Sequence, residues 1–116
     1  MQTFTDEVNN YIANINIEDL AERSDVMGVG ERIAKLAQYL VRVQQECARR
    51  QAQYNQKLNE YLVSEGKSVA HAKIASEASQ EFAELLKAKM LREAVIELIR
   101  ALKYLARSMS DERSLS

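Results

Sequence analysis

The chain has 116 residues, a formal net charge of −1, 28% charged side chains and 6% aromatic ones. It holds no proline and only three glycines, and good helix formers dominate, so with no alternating β-branched run the fold class reads as all-α. Such a length suits one domain with a thin core rather than a deep multilayer one. The charge is uneven: up to Asp25 six acidic residues face Arg23 alone, a balance of −5, and the remainder carries +4. That asymmetry points to an anionic partner or to self-masking, and solvated helix faces produce it as well.

Residues 1–24 read as two short acidic helices. Thr5 with Asp6 and Glu7 makes a helix start, followed by Val8, Tyr11 and Ile12 on one face. Asn14-Ile15-Asn16 interrupts it, and Asn16 caps a second piece from Ile17 to Arg23. Each is too short to stand undocked. Ser24 or Asp25 then caps a helix over residues 25–65, about forty residues and ~60 Å long at the α-helical rise. Gly28 and Gly30 weaken its first turns, which allows a start nearer Glu31. Along it Val26, Val29, Ile33, Leu36, Leu40, Val43, Cys47, Tyr54 and Tyr61 form a heptad seam, with Arg50 and Lys57 at d places. On that seam the single Cys47 reads as a small buried hydrophobe.

Gly66 is the natural left-handed residue after the long helix. Ser68 can cap the next segment, and residues 66–79 form a turn and an alanine- and serine-rich connector. Its composition suits either a closely packed helix or a mobile link. Residues 80–109 read as the second long helix, with Leu91, Val95, Leu98, Leu102, Leu105 and Met109 at 4–3 spacing. Phe82, Leu85, Leu86, Ile96 and Ile99 widen that surface beyond what one partner covers. The expected architecture is a long antiparallel helical hairpin, oligomeric through coiled-coil-like packing, with Leu91, Val95, Leu98, Leu102 and Leu105 at the subunit contact. Residues 110–116 read as a frayed polar tail.

No enzyme is expected. His71 stands without a carboxylate or cysteine at ligand spacing, so neither a metal site nor a cofactor site is expected, and no HExxH or glycine-rich phosphate loop is present. A pattern of cations does stand out. Arg32, Lys35, Arg42 and Arg49 recur along the first long helix, and Lys89, Arg92, Arg100, Lys103 and Arg107 along the last. Glutamines accompany the first stripe, and Tyr54, Lys57 and Tyr61 alternate ring and cation at 3–4 spacing. Those are the ingredients of a single-strand-binding face, and the candidate residues are Arg42, Arg49, Arg50, Tyr54, Lys57 and Tyr61. Helices also carry such cations simply as a wet side, and such tyrosines as core-edge residues.

Ile17-Glu-Asp-Leu20, a long helix holding Tyr39-Leu40, the basic stretch Cys47-Ala-Arg-Arg-Gln-Ala-Gln-Tyr54, Tyr61 before a glycine turn, and Leu98-Ile-Arg-Ala-Leu-Lys103 succeed one another in order. This layout resembles the small phage recombination mediators of the UvsY type over roughly residues 17–113. The resemblance implies a helical ring that binds single-stranded DNA and loads a recombinase onto strands coated by single-strand-binding protein. Arg42, Arg49, Arg50 and Lys57 match the family's basic helix, and 98–103 its assembly helix. Residues 69–79 have no counterpart, and the aromatic pair before the central turn is reduced to Tyr54 and Tyr61. The expected location is the cytoplasm of a bacterial or phage-infected cell, with no membrane partner, since no apolar run approaches transmembrane length. The competing reading is an oligomeric coiled-coil scaffold or adaptor with no nucleic-acid role.

Overall fold

The structure, a computed structural model, describes Gln2 to Leu115, with side chains through Glu112. It is 87% helical, and no strand occurs among the described residues. Five α-helices succeed one another: α1 Phe4–Ala13, α2 Ile17–Glu22, α3 Val26–Asn59, α4 Val69–Glu77 and α5 Gln80–Leu115, with a π-helical segment Glu60–Ser64 closing α3.

Local chemistry explains each start. α1 begins two residues before the expected place, because Thr3 and Asp6 are three apart and close a capping box. The Thr3 hydroxyl accepts from the Asp6 N–H at 3.1 Å, and the Thr3 N–H donates to the Asp6 carboxylate at 3.2 Å. Asn16 accepts from the Asp19 N–H at 3.0 Å and opens α2. Asp25 accepts from the Gly28 N–H at 2.9 Å, so α3 starts at Val26 despite its glycines. Gly66 has φ 64° and ends the long helical run in the left-handed region, as its position suggests.

Between residues 66 and 79 the chain forms a short helix, α4 Val69–Glu77, rather than a loose link throughout. Ser68 caps α4 by accepting from the His71 N–H at 3.3 Å, and Ala72 and Ser76, one turn apart, are fully buried. The frayed tail is also corrected. α5 continues from Met109 through Leu115, because Ser110-Asp-Glu-Arg holds no helix breaker and polarity alone does not stop a helix. Ser116 lies outside the described residues.

The chain divides into two compact units. One joins the chain up to Val41 with the chain from Glu93 onward. Val8, Leu20, Val29, Leu36, Tyr39, Val95, Leu102 and Met109 are its buried apolar residues. Here α1 docks on the first half of α3 through rings: Phe4 and Tyr11 meet Tyr39 edge-on, with centroids 5.9 and 5.4 Å apart. The Lys35 ammonium stands 4.9 Å from the centre of the Tyr39 ring. Burial raises the Tyr11 phenol above its ordinary value.

The other unit is Arg42–Arg92. Tyr54 meets Phe82 at 5.3 Å between centroids, and Arg50 faces Glu84 at 4.0 Å, so within this unit α3 and α5 run antiparallel. Val43, Cys47, Ala72, Leu85, Ala88 and Leu91 are buried here. Burying a side chain of valine or leucine size contributes roughly 1.5–3 kcal/mol. The Cys47 thiol is raised above its ordinary value by burial, as befits a packing residue. Of the expected seam, Ile33, Leu40, Leu98 and Leu105 are only half-buried, and Val26 is exposed.

Candidate nucleic-acid interface

The six residues expected to meet single-stranded nucleic acid lie on α3 and its π-helical end, all within the Arg42–Arg92 unit. Arg42 and Arg49 are exposed, whereas Arg50, Tyr54, Lys57 and Tyr61 are half-buried. Helical spacing decides most of what they touch. Glu46 lies three and four residues before the arginine pair, within reach of both. Arg49 donates to it from Nε at 3.1 Å and from Nη2 at 2.7 Å, and Arg50 from Nε at 2.9 Å. The Glu46 carboxyl is accordingly held below its ordinary value, first by the hydrogen bond from Arg49 and then by that from Arg50. Arg50 also donates from Nη1 to the Gln53 carbonyl oxygen at 3.2 Å.

Tyr54 turns inward. Its ring lies on Phe82, and its hydroxyl is 3.3 Å from that of the fully buried Ser76. It is a core-edge residue and offers no stacking platform, because Phe82 and α4 occupy its surroundings. Lys57 stands 3.6 Å from Glu60 and 5.2 Å from the centre of the Tyr61 ring, and Lys67 reaches the same ring at 5.2 Å. The Lys57 ammonium is raised above its ordinary value chiefly by the Tyr61 phenol, with Glu60 and Glu81 adding to it.

Three cations of the stripe, Arg49, Arg50 and Lys57, are therefore paired with carboxylates close by in sequence. Arg42, Arg49, Arg50 and Lys57 share their unit with Glu46, Glu60, Glu81 and Glu84, which lie on or beside the same surface. Phosphate binding needs an excess of cation there. On α5 the pattern repeats: Arg100 holds Glu97 at 2.6 Å, and Lys87 stands 4.0 Å from Glu84.

Between the end of α3 and the start of α5, inside the same unit, lies an open cleft of about 450 Å³. Arg50, Gln53, Gln56, Lys57 and Glu60 form one wall, and Gln80, Glu81 and Glu84 the other. All eight are charged or carry amides.

Of the five residues expected at a subunit contact, three need correction. Leu91, Val95 and Leu102 are 8%, 0% and 0% exposed in the single chain, so they already serve its own core. Leu98 and Leu105 are half-buried. Large apolar side chains are left outside elsewhere: on α5 at Leu86, Met90 and Tyr104, at Val63, Val69 and Ile74 around α4, and on α3 at Val26, Met27 and Val41.

Among the described residues no group of three His, Cys, Asp or Glu side chains could hold a metal ion, and no helix is long and apolar enough to cross a membrane. Sequence reasoning missed Lys67 as a second cation on Tyr61 and passed over Glu46, whose spacing to the arginines was there to be read. The opposing Glu81 and Glu84 had no local signal. No family model matches the chain, and neither does any curated protein or solved structure.

Proposed function

We propose that this chain is a non-catalytic helical interaction module, an oligomeric scaffold or adaptor that works by docking on protein surfaces. The observation that supports it is apolar surface left on an otherwise well-paired molecule. Met90 is 71% exposed, and Leu86, one turn earlier on the same α5 face, is 44% exposed. Exposed Ala83 extends that face by another turn. Contiguous apolar surface of this kind marks interaction sites more often than scattered single residues do. Of the cations that favoured nucleic acid, Arg49, Arg50, Lys57 and Arg100 are meanwhile paired with carboxylates. Size exclusion with light scattering at micromolar concentration tests the oligomeric form. A mass above 13.2 kDa that falls in Met90→Glu supports it, and 13.2 kDa at every concentration overturns it.

One observation favours the second reading, a single-stranded nucleic-acid binder of the recombination-mediator kind. Tyr61 carries two ammonium groups over its ring at the end of a long helix, which combines ring and cation as base and phosphate recognition require. Fluorescence anisotropy with a labelled single-stranded oligonucleotide at about 50 and about 200 mM salt tests it, since phosphate-driven binding weakens steeply over that range. Binding at the lower salt that disappears in the double variant Lys57→Glu, Lys67→Glu supports this second reading. No binding at the lower salt leaves the scaffold.

A further inference from the structure

We propose that the cleft between the end of α3 and the start of α5 binds a small zwitterion of about dipeptide size, carrying an ammonium or guanidinium group, a carboxylate and an amide. The proposal is independent of the scaffold reading. It starts from opposite charges that face one another across the cleft, with Arg50 held on its own helix by Glu46 at 2.9 Å. Across the cleft the Arg50 Nη2 stands 4.0 Å from the Glu84 carboxylate, and along the α3 wall Lys57 Nζ is 3.6 Å from Glu60. Both gaps exceed a charge-assisted hydrogen bond, which is ~2.7–2.9 Å. Among the described residues Glu81 makes no hydrogen bond or ion pair, and the Gln56 and Gln80 side chains make no hydrogen bond. Their polar atoms face the cleft and open solvent.

The two walls differ in net charge. Arg50 and Lys57 outnumber Glu60 on one side, while Glu81 and Glu84 stand opposite on α5. An anion alone, such as a phosphate, enters against three carboxylates, and a polycation enters against Arg50 and Lys57. A molecule with one charge of each sign meets both walls favourably. Its ammonium would lie at Glu81 and Glu84, its carboxylate at Lys57 and the outer edge of Arg50, and its amide against the glutamines. The cleft volume lies within the ~300–1,000 Å³ range of small-molecule sites. With no apolar lining, binding is expected to be weak and to depend on both charges.

The test is an amide chemical-shift titration of the whole chain with alanyl-glutamine, with its N-acetylated form and with its C-terminal amide. The expected result is saturable shifts confined to residues 50–60 and 80–84. Each blocked form should bind at least about tenfold more weakly, since each loses one charge-assisted bond. Glu81→Gln and Lys57→Gln should each weaken the zwitterion to a similar extent, with the helical circular-dichroism spectrum retained. The blocked dipeptides keep the test decisive if a variant misfolds. No saturable shift up to about 20 mM, far weaker than the ~1 mM at which −4 kcal/mol is gained, overturns the proposal. So do blocked forms that bind as well as the free dipeptide, or shifts that map elsewhere.

Discussion

Gly28 and Gly30 sit two residues apart in the first turns of α3, and their replacement by alanine should act in opposite ways. Alanine for glycine in a helix interior normally stabilises by about 1 kcal/mol, an upper bound this near an end. At Gly30 a new Cβ meets nothing within 4 Å, so Gly30→Ala should gain most of that. At Gly28 the new Cβ would strike the Asp25 carboxylate, which accepts from the Gly28 N–H at 2.9 Å and caps the helix. Losing such a cap costs about 0.5–2 kcal/mol. Gly28→Ala should therefore end near zero or destabilising, and the two variants should differ by about 0.5–2 kcal/mol, the size of the cap. Urea unfolding at constant m-value measures it. The cycle is closed with Asp25→Ala: once the cap is gone, Gly28→Ala should stabilise as much as Gly30→Ala does. Equal gains from the two glycines in the native background would refute the assignment of Asp25 as the cap.

Other consequences are open to the same unfolding assay. Leu36 and Leu102 are fully buried, and truncating either to alanine should cost about 2–5 kcal/mol, whereas Met90→Ala, on the exposed face, should be near-neutral. Ser76→Ala removes a buried hydroxyl that donates to the Lys73 carbonyl at 3.0 Å and meets Tyr54. It should cost about 1 kcal/mol, and Tyr54→Phe part of that. The Glu46 carboxyl has its folded value below the ordinary 4.5, so the folded state binds its proton less readily than the unfolded chain. Its stabilisation is complete above the ordinary value and is lost as pH falls through the lowered one. Glu46→Gln should remove that part of the acid sensitivity, and an unchanged stability profile below pH 4.5 would count against the arginine clamp.

Periodicity was enough for part of the core. Val29, Leu36 and Val43 recur every seven residues and are buried, and so are Leu91, Val95 and Leu102 on α5, whereas Ile33, Leu40, Leu98 and Leu105 of the same seams are half-buried. Asn16 and Gly66 have chemistry that leaves few alternatives. The α4 segment was not legible for a physical reason. Its buried face is Ala72 and Ser76, so it packs by being small, and hydrophobic patterning does not register small residues. Its packing includes Tyr54, 22 residues earlier, whose hydroxyl reaches Ser76. The helical tail was not legible for another reason: Ser110-Asp-Glu-Arg is polar, and polarity alone neither makes nor stops a helix.

The functional face shows the same division between local and distant partners. Helical spacing alone places Glu46 on Arg49 and Arg50, so half of the neutralisation of the basic stripe was readable without a structure. The other half was not. Glu81 and Glu84 reach that surface only because α5 returns antiparallel to α3 within this unit, which brings Glu84 to 4.0 Å from Arg50. The same return sets Phe82 on Tyr54 and turns an apparent stacking residue into a packing one. A stripe of cations on one helix therefore says little about nucleic acid until the neighbouring helix is placed. Here that helix brings Glu81 and Glu84 to a cleft whose other wall holds Arg50, Lys57 and Glu60.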